Sequence, residues 1–272
     1  MTPRFRFGHP LPKEFRRLAG ELAGAALSAL TEGDVHQTRR RIKEIRALFA
    51  LTLKDADAPQ MAACFRDIAR AISQARDDEV CLATLNRLEA LPPTPGQDVF
   101  PAARAALHRN RASTPDPVRH VAELQAACKM VDGWRPIVKP GHLRKALRKS
   151  YCQCRKALAV AGGEAGSPAA EEALHTLRKR IKRLWAQLRL IHTPGTGKRI
   201  RRADEIAEAI GLEHDLAVLN ARLRGTPAGK ALERKIESER AHLRRIAMER
   251  ASRLLRTTPG KFLKKIGVEK IR

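Results

Sequence analysis

Apolar residues recur along the chain at spacings of three and four, and the intervening positions are filled mostly by Arg, Glu, Lys and Ala. These are strong helix formers, and that spacing is the signature of helices with one buried face. The pattern predicts helices near 13–30, 35–55, 60–90, 98–130, 141–162, 168–191, 199–223 and 228–256. Breaks are expected at Pro92-Pro93-Thr94-Pro95-Gly96, Pro115-Asp116-Pro117, Asp132-Gly133, Pro140-Gly141, Gly162-Gly163, Pro194-Gly195-Thr196-Gly197 and Pro259-Gly260, because Pro and Gly interrupt helices. No stretch alternates at period two. The expected fold class is therefore all-α, with helix-bundle packing as the default.

The helical pattern contains an internal repeat. Val35-His36-Gln37-Thr38-Arg39-Arg40-Arg41-Ile42-Lys43-Glu44-Ile45-Arg46-Ala47 aligns with Leu174-His175-Thr176-Leu177-Arg178-Lys179-Arg180-Ile181-Lys182-Arg183-Leu184-Trp185-Ala186, 139 positions later. A second pair, Arg76-Asp77-Asp78-Glu79-Val80 and His214-Asp215-Leu216-Ala217-Val218, follows at an offset of 138. A repeat this long predicts two similar helical bundles, 12–132 and 141–266, packed about a pseudo-two-fold axis rather than a short-period solenoid.

Helical geometry gives the repeated segment its meaning. With His36 at 0° and about 100° per residue, Arg39 falls near 300°, Arg40 near 40°, Lys43 near 340° and Arg46 near 280°. Val35, Ile42, Ile45 and Phe49 fall in the sector of roughly 180–260°. A solvated basic face normally lies opposite the core. Here the cations flank the apolar sector, so they are expected to point across a groove or interface. His175, Arg178, Lys179 and Lys182 repeat the layout. Like charges three and four residues apart cost a few tenths of a kcal/mol each, so their accumulation in two places points to an anion.

Net charge agrees with this reading. The chain of 272 residues carries 54 Lys+Arg against 29 Asp+Glu, a formal charge of +25. That is well above the magnitude of roughly 2–8 that keeps a small domain soluble, and it points to a polyanionic partner: nucleic acid, an anionic membrane surface or a polyphosphorylated chain. Apolar residues make up 43% of the chain, enough for a core. No apolar run is long enough to span a membrane, and Met1 to Glu14 contains no apolar segment of the signal-peptide kind. The five cysteines, Cys64, Cys81, Cys128, Cys152 and Cys154, are odd in number and mostly scattered, as expected of a reduced, cytosolic protein. CxxC, HExxH and the phosphate- and nucleophile-loop motifs are absent, so neither a metal nor another cofactor is expected.

The chain resembles the CHAD family, the conserved-histidine α-helical domain. The His-x-x-Arg-Lys/Arg-Arg-Ile-Lys segments at 36–43 and 175–182 resemble that family's two histidine helices. Arg66-Asp67-Ile68-Ala69-Arg70 with Arg76-Asp77 resembles its third helix, and Leu212-Glu213-His214-Asp215-Leu216-Ala217-Val218-Leu219 the matching segment of the second half. Tyr151 with Arg155-Lys156 resembles the start of its second repeat. The likeness spans roughly 12–266. It implies one CHAD domain over 1–272, two four-helix bundles around a basic central cavity, and binding of inorganic polyphosphate without catalysis. It also implies a stand-alone form, since no CYTH phosphohydrolase segment is present. Two positions depart from the repeat: Trp185 stands where the first half has Arg46, and Glu44 interrupts the basic face where the second half has Arg183.

Polyphosphate is a linear anion with no sequence to read, so a cationic track with guanidinium forks suffices. One Tyr, two Trp and seven Phe provide little of the base-stacking platform that single-stranded nucleic acid uses. The expected phosphate contacts are Arg39, Arg40, Lys43, Arg46, Arg178, Lys179 and Lys182. Arg17, Arg66, Arg70, Lys145, Arg148 and Arg155 form a second tier on neighbouring helices, and Lys198, Arg199, Arg201 and Arg202 form a further cluster. His36 and His175, surrounded by cations, are expected to be neutral until a polyanion draws a proton to them; the alternative is a structural histidine donating to a buried carboxylate or carbonyl. Asp77 and Asp215 are expected to pair with a cation of the histidine helix or to cap a break rather than to act as acid or base. The leading function is a non-catalytic polyphosphate-binding module, with polyphosphate granules as a place of residence. Two other classes remain. A helical nucleic-acid binder is supported by charge alone, and charge alone also gives weak nonspecific nucleic-acid binding. The third class is an enzyme acting on phosphate chains with a histidine as phospho-acceptor.

Overall fold

The computed structural model describes residues 3–72, 77–92, 99–109, 116–162 and 168–268, and among them the regular structure is all helical. The helices are α1 (Leu11–Thr31), α2 (Val35–Phe49), α3 (Ala58–Ala71), α4 (Asp77–Glu89), α5 (Val99–Arg109), α6 (Val121–Gly133), α7 (Pro140–Ala161), α8 (Pro168–Ile191), α9 (Gly197–Leu223), α10 (Pro227–Leu255) and α11 (Pro259–Lys265). Pro140 and Pro259, which mark breaks in the sequence, are the first residues of helices, as is Pro227. At that position the missing N–H has no intrahelical partner to lose and the fixed φ already suits the helix. Thr226 and Thr258 cap α10 and α11 by accepting the Gly229 and Lys261 amides.

The helices close into two rings of four. In the first, α1 packs on α2 and α6, and α3 packs on the same two. In the second, α7 packs on α8 and α10, and α9 does likewise. The rings meet where α2 lies against α8. One continuous apolar cluster, from Phe5 to Val268, runs through both.

The elements differ from expectation in four places. The helix predicted over 35–55 stops at Phe49. Asp55, almost fully buried, accepts the Ala58 and Ile137 amides (2.9 Å each) and the Trp134 indole N–H (3.2 Å). The turn after α2 is thereby fastened to the end of α6, which a longer helix would prevent. The predicted helix 60–90 is two helices, α3 and α4, and 98–130 is divided into α5, a short 3-10 turn at Pro117–His120 and α6. In the second half α9 and α10 run unbroken. The α4–α5 hairpin leaves the first ring and packs on α9 and α10, where Lys235 donates to the Pro92 carbonyl (3.1 Å).

The fourth difference is α11, a helix beyond the predicted set. It docks on α7, with Phe262 stacked on Tyr151 at 4.0 Å. The Tyr151 hydroxyl donates to the Thr257 carbonyl (3.0 Å). Gly195 permits the approach, since a β-carbon there would stand 2.1 Å from the Lys265 carbonyl oxygen.

Candidate functional site

The two histidine helices are neighbours, and their cations meet along the seam between them. Asp34 caps α2 by accepting the Gln37 amide at 2.9 Å. Ile42, Ile45 and Phe49 are buried in the first ring, as the wheel predicts. The cations next to that apolar sector, Arg39 and Arg46, are half-buried, whereas His36 and Lys43, farther round, are exposed. On α8, Ile181, Leu184 and Leu188 are buried, Arg178, Lys182 and Arg183 are half-buried, and Lys179 is exposed. Buried Gln187 crosses the seam and donates to the Ala47 carbonyl at 3.3 Å.

Charge is unbalanced there. Among the described residues, no carboxylate lies within ion-pair distance of Arg46, Arg178, Lys182 or Arg183. Burial pushes the Lys182 ammonium down to about 8, with Arg178 and Arg39 of the facing helix adding to the effect and Asp215 and Asp204 opposing it. Burial lowers Arg46 as well, and Arg183 from across the seam lowers it further. Removing a cation from water without a partner is costly. The Arg178 guanidinium lies against α9 at Gly211, where an added β-carbon would stand 3.1 Å from its terminal nitrogen. Its Nε is buried with no hydrogen-bond partner.

Elsewhere the same fold balances its buried cations. Arg240 binds Glu171 (2.6 Å), Glu237 (2.7 Å) and Glu213 (3.0 Å), and Arg244 binds Glu213 (2.6 Å). These pairs tie α8, α9 and α10 together and hold the Glu171 carboxyl below its ordinary range. A small cavity beside them is lined by His175 and His214, whose rings are 5.4 Å apart. Burial lowers the His175 imidazole, and Lys179 and His214 lower it further. The two signature histidines thus occupy different settings: His36 is exposed at the start of α2, while His175 faces α9.

Other predicted residues are distributed more widely. Arg40 is partly exposed and stands 3.9 Å from Glu44. Arg17 is fully engaged away from the seam: it binds Glu14 (2.6 Å), Glu21 (2.7 Å) and the Arg4 carbonyl (2.6 Å). The Glu14 carboxylate that anchors it also accepts the Arg6 amide, so Arg17 holds the N-terminal segment onto α1. Arg66 is exposed on α3, pairs with Asp67 and is close enough to Arg46 to depress it. Arg70 is exposed on the same helix. Lys145, Arg148 and Arg155 are exposed on α7, with Arg155 beside Tyr151. Lys198 and Arg201 are exposed near the start of α9, where Arg199 donates to the Gly195 carbonyl at 2.8 Å. Asp215 favours the charged forms of Arg178 and Lys182. The side chain of Asp77 and residue Arg76 lie outside the described residues.

Sequence reasoning missed Arg183, Arg189, Gly211 and the burial of Glu44. Arg189 lies two turns beyond Lys182, so its seven-residue spacing was the available signal. Gly211 sits inside a strongly helical stretch, where Gly is unfavourable and implies a packing reason.

The arrangement supplies fixed positive charge and guanidinium donors, which can grip a chain of phosphate oxygens. Among the described residues no group of three or more His, Cys, Asp or Glu could hold a metal ion, and no helix is long and apolar enough to cross a membrane. A family model for the CHAD domain matches residues 10–224. No curated protein matches the chain.

Proposed function

The chain belongs to the CHAD domain family, and from that premise we propose that it binds inorganic polyphosphate, without turning it over, along the seam between α2 and α8. The observation that carries this reading is the set of half-buried cations, Arg46, Arg178, Lys182 and Arg183, that have no carboxylate within ion-pair distance among the described residues. A fold that surrounds Arg240 with three glutamates would gain stability from doing the same here. The missing negative charge is that of the ligand.

Arg39, Arg46, Arg178 and Lys182 form the centre of the proposed site. Arg40, Lys43, Lys179, His36 and His175 flank it, and Arg66 and Arg70 extend it onto α3. Guanidinium forks suit the tetrahedral, repeating oxygens of a phosphate chain. Two related units, 12–132 and 141–266, each contribute one histidine helix, and the two rings of four helices support that division. Residence in the cytoplasm on polyphosphate granules is consistent with such a binding module.

Binding of long-chain polyphosphate across a salt series tests the reading. Arg39→Ala with Arg178→Ala is expected to weaken binding at least tenfold and to flatten the dependence of log K on log salt by about 0.7 for each lost contact. Polyphosphate is expected to displace duplex DNA at equal charge concentration. A double variant that binds as tightly as the wild type, or DNA that outcompetes polyphosphate, overturns the assignment. Phosphate release from polyphosphate with Mg²⁺ present would overturn its non-catalytic part.

A further inference from the structure

We propose that Glu44 is a built-in anion that fills the last subsite of the phosphate track and so sets where a bound chain stops. The proposal rests on the seam being the polyphosphate site. Glu44 is only 1% exposed, although it lies on the most basic helix of the first ring. Its carboxylate is surrounded by guanidinium groups from both sides of the seam: Arg41 at 2.9 Å and Arg40 at 3.9 Å from α2, and Arg189 at 3.2 Å from α8. Arg189 also lies over the Trp185 ring, 4.5 Å from its centroid. Three guanidiniums from two helices closing on one buried anion is the arrangement that a phosphate group would require at that point.

The seam is therefore self-occupied where Arg189 meets Glu44. About one and a half turns separate Arg39 from Glu44 on α2. At the repeat position, 139 residues later, the chain has Arg183, which has no carboxylate within ion-pair distance among the described residues. The two histidine helices thus differ in sign at equivalent places. A phosphate chain seated on Arg178 and Lys182 meets the Glu44 carboxylate if it continues along α8 toward Arg189, and like charges repel in a site with little water. Glu44 also keeps Arg40, Arg41 and Arg189 paired while no ligand is bound, which stabilises the contact between the rings.

The test compares the full-length wild type with Glu44→Gln, which keeps the side-chain shape and removes the charge. Long-chain polyphosphate is expected to bind the variant about tenfold more tightly at low salt. The slope of log K against log salt is expected to steepen by about 0.7 for each released cation. Without ligand the variant is expected to melt at a lower temperature than the wild type, since buried guanidiniums lose their partner. Polyphosphate should then raise its melting temperature by more than it raises that of the wild type. Equal or weaker binding by a folded Glu44→Gln protein overturns the proposal.

If Glu44→Gln does not fold, Arg189→Gln decides the matter. With its guanidinium already held by Glu44, this variant is expected to bind polyphosphate within twofold of the wild type. A loss as large as that of Arg178→Ala places Arg189 on the phosphate chain and overturns the proposal. The Arg39→Ala, Arg178→Ala protein separates the two levels of inference. If it binds like the wild type, the polyphosphate reading fails and this one with it. If it binds weakly while Glu44→Gln shows no gain, only the role of Glu44 fails.

Discussion

Lys182 shows how position decides what a single side chain can do. In water a lysine keeps its proton to about pH 10.4, yet burial among cations pushes this one down to about 8. A bound polyanion favours the ammonium form, so binding above pH 8 must take up a proton. Affinity for long-chain polyphosphate, whose internal phosphates stay ionised throughout, is expected to fall as pH rises from 7 to 9. Lys182→Arg, which cannot lose its charge, is expected to flatten that profile, and binding isotherms at fixed salt would show it. An unchanged slope in the variant removes Lys182 from contact with the ligand. His175 adds a second dependence at lower pH: its imidazole is held below 6.5, so binding should tighten further as the solution is acidified toward pH 6. The stripe that carries these residues was legible from spacing alone, because Arg39 and Arg46 flank the buried Ile42 and Ile45 as the wheel requires. The burial of Glu44 was not legible. It depends on Arg189 arriving from another helix, and a single-helix wheel has no account of neighbours.

At the scale of elements, helical periodicity identified the helices and often misplaced their ends. Periodicity reports a buried face, and a buried face can continue through a turn. Asp55 is the clearest case: its carboxylate gathers the amides of the turn after α2 and the indole of Trp134, 79 residues away. No local signal reveals a partner that distant. Asp55→Ala leaves those buried donors without an acceptor and is expected to cost about 2–3 kcal/mol of stability. Its polyphosphate affinity should be unchanged, since Asp55 lies away from the seam. Chemical denaturation of the purified variant would measure the first effect and titration the second. The divisions of 60–90 and 98–130 have a similar origin: α4 and α5 find their apolar partners on the second ring, where Leu88 and Leu91 face Leu212, Leu216 and Leu243 across a small cleft.

At the scale of the whole molecule, the matched family segment ends before the fold does. The match stops at residue 224, yet α10 closes the second ring and α11 covers α7 at Tyr151. A chain ended after Arg224 would expose the buried faces of α7 and α9 and strip Glu213 and Glu171 of Arg240 and Arg244. It is expected to lose its cooperative thermal transition in circular dichroism; melting at the wild-type temperature would show that α10 is dispensable. The all-α class was visible in composition and periodicity. The excursion of the α4–α5 hairpin was not, because nothing within the first half announces which half it will cover. That excursion has a consequence for inheritance. The hairpin is encoded with the first ring but buries apolar surface of the second, so a recombination event joining either half to a foreign partner strands greasy surface in water. The two halves of this protein can diverge from each other, but they can be passed on only as a pair.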